Sequence, residues 1–200
     1  TEQEIVSEEY FIKRIITILQ SSPRIQAEGV ASQLKTNVSD IVQCVSCNSD
    51  TGLEIVYGDV IHNELYVAQI KSLIQLDLND FVSLQTLCSN YDLPADWMKR
   101  NCLRQADCWI HNKAEFYCSV KVMEEKRDKI LQVIPTIKSP VNLYEYLTNK
   151  IGFIPQSFYL NICASLDFSP FGKFSLDRAT FTPNSYINWQ VKEAERQLEL

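Results

Sequence analysis

Amphipathic helical segments open near residues 8, 62, 119 and 185, and behind each of the first three the same pattern unrolls. In the first round, Glu8–Gln20 carries Phe11, Ile15, Ile18 and Leu19 at three- and four-residue spacing and stops at Ser-Ser-Pro. A short extended piece, Arg24–Gln26, follows, then helical stretches at Glu28–Lys35 and Ser39–Cys47. Asp50-Thr-Gly52 turns the chain into the strand-like Leu53–Tyr57, and Gly58-Asp59 turns it again into Val60-Ile61.

The second round runs through a helix at His62–Leu76, a short strand at Asp80–Ser83, and helices at Leu84–Asn90 and from Pro94 through Leu103. Two strands, Cys108–Ile110 and Phe116–Cys118, close it across His111–Glu115. The third uses helices at Val122–Ile134, Val141–Lys150 and Pro155–Leu166, then strands at Phe171–Phe174 and Ala179–Phe181. Helix, short strand, helix, helix, hairpin is the order of a winged helix. The fold expected is therefore mostly α (α+β), a tandem array of three winged-helix domains at 1–61, 62–118 and 119–184, with 185–200 as the lead helix of a fourth. The period of about 54–66 residues is one of pattern rather than identity. A unit of about 60 residues buries only about 60% of its unfolded surface and is marginal alone. Units without a Gly/Ser-rich linker are expected to pack on one another.

Such an array limits the chemistry available. Only two histidines occur, His62 and His111, and neither sits in a triad motif. Five scattered glycines form no phosphate loop. Cys44-x-x-Cys47 falls late in a helix, whereas a redox pair places its first cysteine at a helix N-terminus. Cys102, Cys108, His111 and Cys118 could supply four zinc ligands, but the spacing fits no familiar zinc site, and Trp109 and Phe116 among them point to a packed hairpin. Cys88 and Cys163 have no evident base partner. The seven cysteines read as reduced, buried thiols, and no catalytic, cofactor-binding or metal-binding residue is expected.

Charge argues against duplex DNA. A winged helix that reads DNA places its third helix in the major groove and needs cations there. Ser39–Asn48 has no Lys or Arg, Pro155–Leu166 has no charge at all, and only Lys99, Arg100 and Arg104 make the second unit basic. The net charge of −6 divides as −9 over residues 1–98 and +3 over 99–200, two unlike surfaces for partners. No apolar run approaches the roughly 20 residues needed to span a bilayer. At the end of the chain, Tyr186, Ile187, Trp189, Val191 and Leu198 lie on a helix whose apolar residues include i, i+4 and i+7 relations, such as Ile187–Val191–Ala194–Leu198, and they are the expected partner-binding residues.

Local motifs add a resemblance. Leu87-Cys-Ser-Asn-Tyr-Asp-Leu-Pro94, Gly58–Tyr66, Tyr144–Phe153 with its Lys150-Ile-Gly-Phe153, and Phe181-Thr-Pro-Asn-Ser-Tyr186 occur in the order found in the E3 ligase of the ubiquitin-fold modifier system (UFMylation), which this chain resembles over nearly its whole length. The resemblance implies a ligase without a catalytic residue of its own, a scaffold that holds the modifier-charged conjugating enzyme beside a lysine. It implies an endoplasmic-reticulum adaptor protein as partner, ribosome-associated substrates, and a place in the cytoplasm at the cytosolic face of that membrane, with the nucleus left open. The family's adaptor- and enzyme-binding N-terminal helix and half winged helix are expected to precede Thr1, the chain reading as an excised piece. Two other functions fit the same architecture: a transcription-type winged-helix protein that binds nucleic acid, and a winged-helix subunit of another large assembly.

Overall fold

The computed structural model describes residues 7–104, 109–110, 116–176 and 178–198. Ten α-helices and eight short strands alternate among them, so the chain is mostly α (α+β). The described residues form two compact units, one drawn from Thr1–Leu76 and Gln85–Arg104, the other from Asp77–Leu84 and Gln105–Leu200.

The first unit opens with α1 (Glu8–Ser21), whose N-terminus is capped by Ser7 accepting from the Tyr10 amide. Its inward stripe is Ile12, Ile15 and Leu19; Phe11 and Ile18, which share the helical spacing, are half-buried. β1 (Arg24–Gln26), α2 (Ala27–Leu34), α3 (Val38–Cys47), a 3-10 turn at Ser49–Thr51, and the hairpin β2 (Leu53–Val56) and β3 (Val60–Asn63) follow. The sheet order is β1-β3-β2, all antiparallel, with β3 central. The hairpin turn holds Tyr57 at φ 57° and Gly58 at φ 86°. Ile15, Leu19, Val30, Ile41, Val45 and Ile61 form the core between helices and sheet.

His62 and Asn63 had been read as the start of the next helix. They belong instead to β3, where His62 faces both Arg24 and Glu54 across the sheet. Pairing on both sides fixes this stretch as strand, a tertiary gain that helical periodicity cannot register. Asn63 then ends the strand and starts α4 (Glu64–Asp77): its side chain donates to the Leu19 carbonyl and accepts from the Tyr66 amide. Along α4 only Ile70 and Ile74 are buried; Leu65 and Leu73, expected on the inward side, are exposed. After α4 come β4 (Val82–Ser83), α5 (Leu84–Tyr91) and α6 (Ala95–Asn101).

In the second unit β4 pairs β6 (Phe116–Cys118), which pairs β5 (Trp109–Ile110), in the order β4-β6-β5. α7 (Val120–Val133), capped by Ser119, leads to a 3-10 turn (Ile134–Thr136), α8 (Leu143–Ile151) and α9 (Gln156–Ser165). The hairpin β7 (Gly172–Phe174) and β8 (Phe181–Pro183) follows, and α10 (Asn184–Leu198) ends the described chain. Where the first two rounds have a short strand, the third has a single bridge, Val141 to Phe181, with hydrogen bonds of 3.0 and 2.8 Å. Pro140 supplies no amide to extend it. Leu143, Leu147, Phe158, Phe168 and Phe181 build this unit's core with Ile130 and Ile134. Helix, strand, helix, helix and two further strands thus follow in order in the first two rounds, and the third has a bridge in place of its short strand.

Candidate functional site

Four places could carry function: the thiols, the enclosed histidine, the third helix of each round, and α10. Cys44 is buried with its Sγ toward the Glu8 carbonyl, and Cys47 is exposed at the last residue of α3, so the pair does not sit at a helix N-terminus. Burial pushes the Cys44, Cys88 and Cys163 thiols above the usual range, and Cys102 to about 11. Among the described residues no group of three or more His, Cys, Asp or Glu side chains could hold a metal. Of the four zinc candidates, Cys108 and His111 lie outside the described residues.

His62 is fully enclosed, and neither ring nitrogen has a hydrogen-bond partner. Its ring packs at 5.2 Å from Tyr66 and edge-on at 5.4 Å from Trp97. Desolvation holds its pKa below the usual histidine range, with Glu54 opposing and Arg24 assisting.

Around it lie the contacts that tie α4–α6 to the first sheet. Arg24 donates to the Asp92 carbonyl at 2.9 Å, to its carboxylate at 2.8 Å and to the Tyr66 hydroxyl at 3.2 Å, and stacks over the Tyr66 ring. Trp97 Nε1 donates to Glu54 at 2.8 Å, and Arg100 pairs with the same carboxylate at 2.9 Å. Neither Arg24 nor Trp97 stood out in the sequence, because each acts through a partner more than 40 positions away. Arg100, one of the three cations that make the second round basic, is engaged within the molecule.

Two of the motifs quoted above have a local cause. In Tyr-Asp-Leu-Pro, Asp92 takes a left-handed turn at φ 49°, Leu93 donates to the Cys88 carbonyl, and Pro94 precedes α6. In Lys-Ile-Gly-Phe, Gly152 closes α8 at φ 83°, ψ −175°, a region open essentially to glycine alone. Lys126, largely enclosed, donates to the Ile151 and Phe153 carbonyls at 3.4 Å and lies 3.5 Å from the Asp80 carboxylate.

The third helices of the first and third rounds carry no Lys or Arg, whereas α6 of the second exposes Lys99 and Arg100. α3 exposes Val38, Ser39, Gln43 and Ser46, and α9 exposes Leu160 and Asn161. α10 is covered least of all, since no residue of it is buried, against three in α1 and two in α7. Asn184 anchors its start, its side-chain amide donating to the Ser169 and Pro170 carbonyls. Of the five residues expected to bind a partner, Tyr186 and Ile187 are half-buried, and Trp189 (57%), Val191 (51%) and Leu198 (88%) are exposed. Tyr186 and Trp189 come together, ring centroids 5.6 Å apart.

These features describe a mostly α (α+β) protein with cations engaged within the molecule and exposed apolar helix surfaces. The family of the E3 UFM1-protein ligase 1 matches residues 3–199, and the chain belongs to it. That membership gives it a role in UFM1 conjugation. No curated protein matches the chain by sequence. No described helix is long and apolar enough to cross a membrane.

Proposed function

We propose that this chain is a non-catalytic scaffold of the UFM1 ligase, a tandem array of winged helices at 1–61, 62–118 and 119–184. It holds the UFM1-charged conjugating enzyme near substrate lysines. Holding a thioester and an amine in proximity supplies effective molarity without an acid–base constellation. The observation that carries the proposal is the family match along residues 3–199, on a chain whose third helices carry few cations where a nucleic-acid reader needs several: none in α3 or α9, and in α6 Lys99 beside an Arg100 already paired with Glu54.

The α10 surface of Tyr186, Ile187, Trp189, Val191 and Leu198 is the partner-binding face, as the lead helix of a further unit would be. The conjugating enzyme, an endoplasmic-reticulum adaptor and ribosome-associated substrates are the partners, at the cytosolic face of that membrane. The test is affinity capture of the purified conjugating enzyme and adaptor by the full-length protein. Retention of both supports the proposal. Retention of neither, with salt-sensitive sub-micromolar binding to duplex DNA instead, would replace it with a nucleic-acid role.

A further inference from the structure

In the second unit, α9 and the β7–β8 hairpin flank an open groove of about 440 Å³. A winged helix that reads nucleic acid lines this region with Arg, Lys, Asn and Gln. Here the lining is apolar: Leu160 and Cys163 from the helix, Phe168 from the following loop, and Phe174 and Leu176 from the hairpin. Two of these side chains are exposed. Leu160 is more than half exposed and Leu176 is completely so. Apolar side chains displayed on both walls of one groove mark an association site more than an isolated surface leucine does.

One charge completes the lining. Arg178 borders the groove, and Lys173 is exposed on the same hairpin. Neither pairs with a carboxylate among the described residues. Among the described residues no acidic side chain lines the groove, and nearby Asp167 is occupied in accepting from the Ser169 amide at 2.9 Å. The site therefore offers mainly apolar walls with a cation, Arg178, at one edge. A phosphate backbone would meet one or two cations and several exposed carbons, too little counterion release for tight binding. A peptide with large apolar side chains beside a carboxylate satisfies both features.

We propose that the groove between α9 and the β7–β8 hairpin docks a protein segment that carries two or three large apolar side chains next to an Asp or Glu. The apolar side chains fill the space between Leu160 and Leu176, and the carboxylate pairs with Arg178. This rests on the protein-binding scaffold function proposed above and gives it a partner chemistry at a surface separate from α10.

The test selects random displayed peptides on the whole chain, then measures the enriched peptide, fluorescently labelled, by anisotropy. Variants Leu160→Glu and Arg178→Glu change exposed side chains, and thermal melts compared with the parent verify that both fold. The expected consensus is an apolar cluster flanked by an acid. Each substitution is expected to weaken binding by on the order of tenfold or more. Changing the peptide's acid to Lys is expected to restore binding to Arg178→Glu and to weaken binding to the parent. Failure to enrich any peptide, peptides without an acid, or peptides indifferent to both substitutions would overturn the proposal. So would a DNA duplex bound in an Arg178-dependent, salt-sensitive way. Capture of the conjugating enzyme by the full-length protein is measured separately, so the scaffold function survives or fails on its own result.

Discussion

Arg24 grips the main chain of Asp92: one guanidinium nitrogen reaches both the Asp92 carbonyl at 2.9 Å and its carboxylate at 2.8 Å, across 68 positions of sequence. The arginine is mostly enclosed while the aspartate side chain is 77% exposed. The carbonyl contact is therefore the firmer half, and the ion pair is screened. Arg24→Ala is expected to lower stability by about 2 kcal/mol, through lost charge-assisted hydrogen bonds and the lost cover of Tyr66. Asp92→Asn, which keeps the carbonyl and tolerates the left-handed turn, is expected to cost less than about 1 kcal/mol. Urea melts of both variants decide it; equal losses would mean that the exposed carboxylate carries the contact.

His62 gives stability a pH dependence whose sign is fixed. Its pKa is depressed in the folded chain, so the unfolded chain binds the proton more readily. The neutral ring between Tyr66, Trp97, Glu54 and Arg24 is favourable above about pH 6.5, the unfolded value. Stability falls as pH drops below that and levels off once the folded state is protonated as well. The slope from this one group is at most about 1.4 kcal/mol per pH unit. His62→Phe is expected to shrink the difference between urea midpoints at about pH 7.5 and about pH 5. An undiminished difference in the variant would place the pH dependence elsewhere.

Much of this fold is readable from local pattern. β1 at Arg24–Gln26 and β6 at Phe116–Cys118 match the sequence reading residue for residue, α1 and α3 differ from it by one residue at one end, and α9 by one residue at each end. What pattern could not give is pairing across distance. His62 sits in a helical run yet is claimed by β3, because Arg24 and Glu54 flank it. Leu65 and Leu73 keep helical spacing but face outward, since α4 is buried along Ile70 and Ile74. The α10 stripe was visible as a stripe, and its division into half-buried Tyr186 and Ile187 and exposed Trp189, Val191 and Leu198 was not. The groove at Leu160 and Leu176 was hidden for the same reason: its two walls are far apart in sequence and meet only after the hairpin folds back.

Gly172 marks where that hairpin depends on close approach. It pairs with Pro183, and a methyl group there would overlap the Thr182 carbonyl oxygen and lie 2.7 Å from the Phe181 ring. Phe181 is fully buried at the centre of the core, so the ring has little room to yield. Gly172→Ala is expected to cost roughly 2–4 kcal/mol. Gly58→Ala, with open space around it, carries only the strain of its positive φ and is expected to cost about 1 kcal/mol. Thermal melts of the two variants test the ranking; a milder effect at Gly172 would mean the hairpin adjusts freely.

The scaffold mechanism makes one demand that a single gel can examine. If transfer works by proximity, UFM1 passes from the conjugating enzyme to lysine without ever resting on a thiol of this chain. Burial lifts Cys44, Cys88, Cys102 and Cys163 away from the thiolate form that such a step needs. The measurement is a reconstituted transfer with the full-length protein, quenched in acid and resolved without reductant. The expected result is a lysine-linked product that accumulates with no thiol-sensitive UFM1 adduct on the ligase. A UFM1 adduct on a cysteine of this chain, discharged by reductant and formed before product, would contradict it.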